Sequence, residues 1–403
     1  MKILVLNCRI YSVEFELIEM PEEKILCKGV VDKIGLEIAS IVFSCIKGKG
    51  DTVIEPILNH FRAVERILQI LTDETYGVIK DKSEINAVGH RVIHGGEKFT
   101  KSVFVDDEVR KEIHKNIELA PLHNPYNLKG VDSVMRYLPD VPQVAVFDTS
   151  FYQSIPDFAF LYAIPYRIYQ QYNIRKYGFH GISHCYTMTH TAHAMKVSPQ
   201  KINMISCHLG AGCSITAIKK GSPVDTSMGF SPLDGLIMST RCGDIDPEIV
   251  LYLMKTGWTL NEVETTLNRE SGILGISGVS DDMRDIVKKM EEGDDKARLA
   301  VDMFVYRIQK YIGSYYGILG GIDAISFTAG IGENSPYIRD RICTPFEFLG
   351  IKIDKSKNNK MIGKEGPIHK SSSKVKIFCI PRNIRLLVAR ETADILKQKA
   401  LSV

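Results

Sequence analysis

Apolar and polar positions alternate along the first part of the chain in a way that predicts a β-hairpin. Residues 3–6 form a short apolar run, and Val13, Phe15 and Leu17 alternate with glutamates. A third strand is expected at 25–31, after a charged turn that contains proline. The chain therefore begins with antiparallel strands.

Helical spacing and further strand-like runs follow one another along the rest of the chain. Apolar positions in 57–71 recur at helical spacing, and strand-like runs follow at 85–93 and 143–147. In the second half, 296–319 is predicted as one long helix, whereas 352–376, rich in Lys and Ser, is typical of irregular structure. This alternation indicates an α/β fold with a parallel or mixed sheet.

The chain also contains an internal repeat. Residues 204–218 repeat the strand–turn–strand pattern of 3–18 at a constant offset of about 201 residues, without a gap, so that Asn7 corresponds to His208 and Arg9 to Gly210. Because this offset is half the chain length, each half is expected to begin with the same hairpin. An accidental likeness of two hairpins is the alternative. A duplicated fold with a cleft between its halves would offer a natural ligand site.

The composition is that of an ordinary globular protein and disfavours several classes. With 403 residues the chain has room for two or three domains, and 44% hydrophobic and 25% charged residues argue against disorder. A net charge of +3 without a basic cluster disfavours a nucleic-acid binder, and no apolar run is long enough for a membrane span. The start is too polar for a signal peptide, and nine cysteines without a Cys-x-x-Cys pair are typical of reduced thiols. We therefore expect a cytoplasmic enzyme that binds neither nucleic acid nor membrane.

Two glycine-rich turns have the composition of phosphate-binding loops. One, 208–212, lies in the repeated hairpin, and the other, 328–334, follows an apolar strand and precedes a Ser-Pro pair that suits a helix start. Glycine lets backbone N–H groups approach an anion, although tight turns also use it for conformational reasons alone. Two such turns in one half of the chain favour a nucleotide site.

Ionisable side chains occur in five short segments marked by Gly or Pro. These segments are 89–96, 123–125, 147–149, 177–181 and 240–247. Each one alone is explained by a buried, paired side chain. Together they supply arginines, histidines and an aspartate, a set suited to neutralising the charge of a phosphoryl group in transfer.

Four of these segments and two others resemble the motifs of the acetate kinase family. They are Gly-His-Arg-Val-Ile-His-Gly-Gly-Glu at 89–97, Phe-Asp-Thr at 147–149, Tyr-Gly-Phe-His-Gly at 177–181, Asp-Thr-Ser-Met-Gly-Phe at 225–230, Thr-Arg-Cys-Gly-Asp-Ile-Asp-Pro at 240–247 and Thr-Ala-Gly-Ile-Gly-Glu-Asn-Ser at 328–335. The resemblance runs from end to end. It implies a homodimer that catalyses ATP + acetate to ADP + acetyl phosphate, reversibly and with Mg²⁺.

The resemblance also implies the domain organisation. The expected fold is α/β, with duplicated actin-like (ribonuclease H-like) domains and an interdomain cleft. The N-terminal actin-like domain is expected to comprise 1–150 plus about 385–403, and the C-terminal, nucleotide-binding domain 151–384.

The resemblance assigns catalytic roles residue by residue. Arg91 and Arg241 would hold the acetate carboxylate and the moving phosphoryl group. His180 would stabilise the transition state, assisted by His123. Asp148 would orient the nucleophile and the metal. This division suits phosphoryl transfer, in which charge neutralisation and in-line positioning supply most of the catalysis.

Binding roles follow in the same way. The metal would lie near Asn7. The methyl group of the acid would be enclosed by four side chains, those of Ile93, Leu122, Phe179 and Pro232. The nucleotide would be bound by three short segments, which comprise His208, Leu209, Gly210, Ala211 and Gly212, then Met283, Arg284 and Asp285, and finally Ile331, Gly332, Glu333, Asn334 and Ser335.

The chain departs from the family pattern at the metal and phosphate side. The family usually opens Asn-x-Gly-Ser-Ser-Ser-x-Lys, whereas residues 7–14 place Arg9 at the turn glycine and Glu14 at the phosphate-side lysine. The family's C-terminal Thr-Asn-Glu-Glu is Arg-Asn-Ile-Arg here, so Ile384 replaces a glutamate that binds magnesium. Ala211 stands where asparagine is usual.

Three interpretations fit these departures. The first is an active acetate kinase with altered metal handling, since magnesium keeps several waters and the phosphates bring their own oxygens. The second is a catalytically impaired paralogue that binds nucleotide as a sensor or partner subunit. The third is a kinase for another small acid or phosphate donor. The first is favoured by the retained set Arg91, His123, Asp148, His180 and Arg241. The second is favoured by the joint loss at the N-terminal turn and at position 384.

The paired departures also suggest an exchange of charge. If the first hairpin and the C-terminal segment face each other, Glu14 approaches the metal, while Arg382 or Arg385 meets the phosphates. Arg9 is a further candidate for the phosphate-facing charge. Local charge would then be roughly kept. The alternative is drift after loss of function, in which the new charges need not meet.

Overall fold

A computed structural model describes residues 1–48 and 50–401 of the chain. Two sheets account for its strands. These are β1 (Lys2–Cys8), β2 (Ser12–Glu19), β3 (Lys24–Asp32), β4 (Ala39–Cys45), β5 (Asp51–Glu55), β6 (Ala87–Val92), β7 (Val103–Phe104), β8 (Gln143–Phe147), β9 (Met204–Leu209), β10 (Cys213–Lys219), β11 (Ser222–Thr226), β12 (Ala324–Thr328), β13 (Gly366–Pro367) and β14 (Lys376–Cys379).

Helices connect and flank these strands. They are α1 (His60–Thr72), α2 (Asp107–Lys115), α3 (Asn124–Tyr137), α4 (Asp157–Phe160), α5 (Tyr166–Tyr172), α6 (Gly181–Ala194), α7 (Pro247–Lys255), α8 (Leu260–Thr265), α9 (Gly272–Ser277), α10 (Met283–Glu291), α11 (Asp295–Leu319), α12 (Ala329–Asn334), α13 (Pro336–Cys343), α14 (Lys355–Lys360) and α15 (Ile384–Leu401). Several begin at an Asn or Asp whose side chain accepts a backbone N–H of the first turn, as Asn59 does for α1 and Asp294 for α11.

The chain divides into two compact units, residues 1–153 with 383–403 and residues 154–382. In the first unit the strand order is β5-β4-β3-β2-β1-β6-β8-β7, with β1, β6 and β8 parallel to one another. Helix α3 packs on β1 and β6 and also against α1, and α15 packs on β1, β6 and β8. The carboxyl ends of three parallel strands therefore meet at one edge of this sheet.

The second unit is built around a smaller sheet of the same design. Its order is β11-β10-β9-β12-β14-β13, with β9, β12 and β14 parallel. Helix α6 packs on β9 and β12, and α11 packs on β9 and β10. The order β3-β2-β1-β6-β8 of the first sheet corresponds to β11-β10-β9-β12-β14, which confirms the predicted duplication.

The register of the two hairpins corrects the ungapped alignment. Cys8 pairs with Val13 across the first turn, whereas Leu209 pairs with Cys213 across the second. The second turn is thus one residue shorter. The constant offset that matches Asn7 with His208 therefore holds only for the first strand of each hairpin and not for the second. Tight turns differ in length without disturbing the ladders that they connect.

Two further expectations need correction. The segment 352–376 contains α14 and β13, because Asp354 caps α14 and buried Asn358 bonds to the Arg339 guanidinium. The second glycine-rich turn is helix α12, whose first N–H, on Ala329, donates to the Glu333 carboxylate at 2.7 Å. Composition alone predicts neither, since both depend on side-chain contacts.

The cysteines also differ from the expectation of nine reduced thiols. Cys27 and Cys45 lie opposite each other in the register of β3 and β4 and form a disulfide. The other seven are free thiols in the described part of the chain. Among the described residues, no helix combines the length and apolar character that a membrane crossing requires.

Candidate functional site

Arg91 links two polar residues at the edge of the first sheet. Asn7 lies near the end of β1, Arg91 near the end of β6, and Asp148 directly after β8. Because these strands are parallel, their carboxyl ends present the three side chains together, which is where α/β sheets bind ligands. Arg91 Nη2 donates to Asp148 Oδ2 at 2.5 Å, and Nη1 donates to Asn7 Oδ1 at 3.5 Å.

The Arg91 guanidinium is fixed in place, but not all of its hydrogen-bond donors have a partner. The Asp148 carboxylate is 1% exposed and the Arg91 side chain 12% exposed. Arg91 Nε is buried and has no hydrogen-bond partner in the described part of the chain. A buried donor without a partner is unusual in native proteins. The arrangement leaves a donor for an anion such as a carboxylate.

Glu14 stands at the centre of an ion-pair network on β2. Its Oε2 lies 2.8 Å from Arg385 Nη1 and accepts from Asn7 Nδ2 at 3.1 Å, and its Oε1 lies 2.9 Å from Arg9 Nη2. Arg385 Nε in turn donates to Glu16 Oε1 at 2.6 Å. The substituted charges of the first hairpin and α15 therefore meet, as the exchange hypothesis requires.

As arranged, these residues do not fit a bound magnesium ion. Both Glu14 oxygens face guanidinium groups, and the Asp148 carboxylate and the Asn7 amide oxygen face Arg91. Ile384 offers no oxygen. Within residues 1–48 and 50–401 no group of three His, Cys, Asp or Glu side chains is arranged to hold a metal. Magnesium prefers carboxylate oxygens that are open to the ion, whereas Glu14 and Asp148 each direct a carboxylate oxygen at a guanidinium group.

The remaining predicted residues of the first unit lie on neighbouring turns. Ile93 directly follows β6, is buried, and donates its N–H to Asn127 Oδ1 at 3.1 Å. His123 precedes α3, and its Nδ1 lies 2.8 Å from the Leu122 carbonyl. Leu122 is half exposed, so its side chain is accessible to a ligand.

In the second unit, His180 and Arg241 converge on Gly212. A Cβ atom at Gly212 would lie 3.3 Å from His180 Cε1, 3.5 Å from His180 Nε2 and 3.5 Å from Arg241 Nη1. The glycine thus keeps open the space that both side chains face. His180 adopts the left-handed conformation (φ 61°) just before α6. For a non-glycine residue this backbone is strained, which is common at functional sites.

Arg241 keeps its charge although it is buried. Desolvation lowers the pKa of its guanidinium from the usual value, yet an arginine remains protonated at neutral pH. Its Nη1 donates to the Pro232 carbonyl at 3.1 Å, which places two predicted residues together. It has no ion pair within the described residues, so its charge is available to an anion. Phe179, next to His180, is almost fully buried.

A cavity of about 640 Å³ lies beside this site. That volume suits a nucleotide-sized ligand. Seven of the thirteen residues predicted to bind nucleotide line it, namely Gly210, Ala211, Met283, Arg284, Ile331, Asn334 and Ser335. Five residues outside those thirteen also line it, namely Ser239, Asp281, Asp282, Val287 and Gly330, of which the last lies in the predicted glycine-rich turn 328–334.

The other predicted nucleotide residues support the cavity from behind. Glu333 accepts the N–H groups of Ala329 and Arg382, and the Gly332 carbonyl accepts from buried Arg339. The rest lie next to cavity-lining residues and are His208, Leu209, Gly212 and Asp285. Of the residues missed, Gly330 lies inside a predicted segment, and Asp282 is recognisable as the N-cap of α10.

The comparisons with known proteins agree along the whole chain. A family model described as the acetokinase family matches residues 2–390. An acetate kinase of Dictyoglomus turgidum is 49% identical over 402 residues, which cover 100% of this chain and 99% of that protein. An acetate kinase of Acetivibrio thermocellus is 49% identical over 398 residues, with 98% and 100% covered.

Solved structures give the same result. The crystal structure of Porphyromonas gingivalis acetate kinase matches with a TM-score of 0.94 at 42% identity, covering 98% of this chain and 99% of that one. A propionate kinase from Francisella tularensis matches with a TM-score of 0.90 at 40% identity and the same coverage. These matches confirm the predicted α/β fold class.

Proposed function

Because this chain belongs to the acetokinase family, we propose that it transfers a phosphoryl group reversibly from ATP to acetate, giving ADP and acetyl phosphate. The observation that carries the proposal is the convergence of His180 and Arg241 on Gly212, next to the cavity that Gly210 and Ala211 line. A phosphoryl group bound there would meet two hydrogen-bond donors. Such donors stabilise the charge that develops on its oxygens in transfer.

The first unit supplies the groups for the acid. Arg91, fixed by Asp148, offers its buried Nε to the carboxylate of acetate. The fixed guanidinium holds one oxygen of the acid in a single orientation, which favours in-line attack on phosphorus. Within this unit, Ile93 and Leu122 are proposed to contact the methyl group.

The nucleotide would occupy the cavity of the second unit, with its phosphates toward the turn 210–212. Adenosine would lie near Met283 and Arg284, and Ile331 to Ser335 would support it. Since the carboxylates of Glu14 and Asp148 are paired with guanidinium groups, magnesium would enter as part of the Mg·ATP substrate. Phosphate oxygens and water satisfy most of its coordination in such complexes.

No finding supports the alternative of an impaired paralogue. The charged groups proposed for transfer are present: Arg91 pairs with Asp148, and His180 and Arg241 both face Gly212. The third interpretation, a kinase whose substrate is a different small acid, stays open because a propionate kinase is among the similar structures.

The proposal is tested with purified full-length protein. Acetyl phosphate formation from ATP is measured as a hydroxamate with acetate, propionate and butyrate, over a magnesium titration. We expect turnover with acetate that follows the concentration of Mg·ATP. Nucleotide binding without turnover would favour the impaired paralogue, and absence of binding at millimolar ATP or ADP would contradict both.

A homodimer is proposed from the surface of α7. This helix has no buried residue, and the apolar side chains of Ile249, Leu251, Tyr252 and Met254 on it are exposed. Exposed apolar patches of this kind mark protein interfaces. Light scattering of Tyr252→Glu, against Phe348→Glu on another exposed aromatic, should show loss of the dimer only in the first variant.

A cytoplasmic location is also proposed, because ATP is the phosphate donor. The Cys27–Cys45 disulfide bears against this location, because disulfides are rare in a reducing compartment.

A further inference from the structure

Behind His180, buried side chains form a continuous chain of hydrogen bonds. His180 Nδ1 lies 2.9 Å from Ser214 Oγ on β10, and the same Oγ lies 2.8 Å from His184 Nε2 on α6. His184 Nδ1 lies 2.8 Å from Ser206 Oγ on β9. Ser214, His184 and Ser206 are completely buried. We call Ser206, His184 and Ser214 the relay.

While both histidines are neutral, the relay has two directions in which the Ser214 hydroxyl bridges the two rings. In each of them the hydroxyl donates its one proton to one ring nitrogen and accepts from the other. Burial lowers the pKa of His184 to about 3, so this ring stays neutral and carries a single N–H. If His184 donates through Nε2, Ser214 donates to His180 Nδ1, and the proton of a neutral His180 lies on Nε2. If the order is reversed, Nε2 of His180 carries a lone pair.

We propose that the relay is a set of positioning residues that holds neutral His180 in the tautomer with its proton on Nε2, directed at the transferring phosphoryl group. The Nε2 edge of this ring faces the same point above Gly212 as Arg241 Nη1. An N–H there stabilises an anionic group, whereas a lone pair would repel it. The inference rests on the proposed function for the identity of that anion.

A second contact fixes the plane of the His180 ring. The ring stacks on His208, with centroids 4.0 Å apart and planes 17° apart, and His208 Nδ1 lies 2.8 Å from Ser183 Oγ. Stacking determines the plane of the ring, and the relay determines which nitrogen carries the proton. Both are needed to aim one N–H, since a ring held only by stacking still exchanges tautomers.

The experiment measures the tautomer directly. Full-length protein labelled with ¹⁵N-histidine is examined by two-bond ¹H–¹⁵N NMR at pH 8, with the His180 signals assigned from their loss in His180→Gln. In the unaltered protein we expect Nε2 to be protonated and Nδ1 to be a hydrogen-bond acceptor. In Ser214→Ala we expect a mixture of tautomers, with kcat reduced roughly tenfold and KM for ATP and acetate within about twofold.

Two further variants distinguish positioning from packing. Ser206→Ala removes the far end of the relay and should shift the tautomer and kcat in the same direction by a smaller amount. Ser133→Ala removes the same atom from an equally buried serine on α3, which donates to the Lys129 carbonyl at 2.5 Å and belongs to the first unit, whereas the relay belongs to the second. It should leave the His180 tautomer unchanged.

Clear results would overturn the inference. It is wrong if His180 carries its proton on Nδ1, or is doubly protonated, at pH 8 in the unaltered protein. It is also wrong if Ser214→Ala and Ser206→Ala both keep the original tautomer. If the predicted tautomers are found but no acetyl phosphate is formed, the positioning holds and the proposed function fails.

Discussion

At the scale of single residues, Glu14 determines the electrostatics of the first unit. It lies between Arg9 and Arg385, within reach of both guanidinium groups. Glu14→Lys would set a third cation against these two and remove the hydrogen bond from Asn7. Because the pairs are partly exposed, we expect a loss of about 1–2 kcal/mol in the free energy of unfolding, together with lower kinase activity. Denaturant unfolding and the hydroxamate assay measure the two effects.

Glu14→Gln serves as the matched control, because it removes the charge but keeps the size and much of the hydrogen bonding. It should lose less stability than the lysine variant. The drift hypothesis predicts a different result for kinase activity. If Arg9→Gly, Glu14→Lys and Ile384→Glu together raise activity while Glu14→Lys alone costs none, the exchange of charge is not functional.

Ile93 is predicted to restrict the length of the acid. An added methylene in a well-packed pocket costs on the order of 1–3 kcal/mol, so kcat/KM should fall from acetate to propionate to butyrate. Ile93→Ala should narrow the preference for acetate over propionate by roughly tenfold. Val92→Ala, on the neighbouring residue that packs with Phe99 and Phe147, should reduce stability without changing this preference. A higher kcat/KM for butyrate than for acetate in the unaltered enzyme would show that Ile93 does not line the pocket for the acid.

At the scale of elements, the β9–β10 turn brings the backbone of Gly212 close to His180 and Arg241, the two side chains proposed to act in transfer. Gly212→Ala would place a methyl group 3.3 Å from the His180 ring and 3.5 Å from Arg241. We expect kcat to fall tenfold or more, since about 1 Å of displacement can cost two orders of magnitude. Gly317→Ala in α11 meets no atom within 4 Å and should raise stability by about 0.5–1 kcal/mol. Full activity in Gly212→Ala would show that this turn takes no part in phosphoryl transfer.

The same scale shows which elements could be predicted from the sequence. The first hairpin, β8 and α11 follow from periodicity, because each buries one face or all of its length in a core. Strand β5 was not predicted, since it is an edge strand whose exposed positions carry no regular apolar pattern. Helix α12 was mistaken for a turn because its glycines are those of a loop, while its first N–H is satisfied by Glu333.

The sequence predicts the charged residues of the candidate site but not the residues that position them. Arg91 and Arg241 are conspicuous because an arginine beside apolar residues and glycine is unusual. Ser214 and Ser206 carry no such signal, since a serine in a buried strand is explained by any hydrogen bond. Their link to His184 exists only after β9, β10 and α6 pack together. Likewise, Ser239 and Asp282 reach the cavity from segments that the glycine turns do not indicate.

At the scale of the whole molecule, three buried histidines set the response of stability to pH. Burial lowers the pKa of His184 and of His94 to about 3 and that of His90 to about 4, whereas an unfolded histidine titrates near 6.5. The folded pKa values are depressed, so the fold is penalised wherever the unfolded chain binds protons and the native state does not. Stability is therefore complete above pH 6.5 and falls as the pH drops toward 4.

The size of this fall is predicted from linkage. Each histidine should cost about 2 kcal/mol on going from pH 8 to pH 5, and the three together about 6 kcal/mol, a large part of the stability of a typical domain. His90 and His94 belong to the first unit and His184 to the second, so the first unit should lose stability more steeply. Urea unfolding from pH 8 to pH 5, followed in His90→Gln and in His184→Gln, measures the slope. Each variant should remove about one proton from the uptake on unfolding of its own unit, and an unfolding free energy that stays constant over this range would show that these histidines are protonated in the native state.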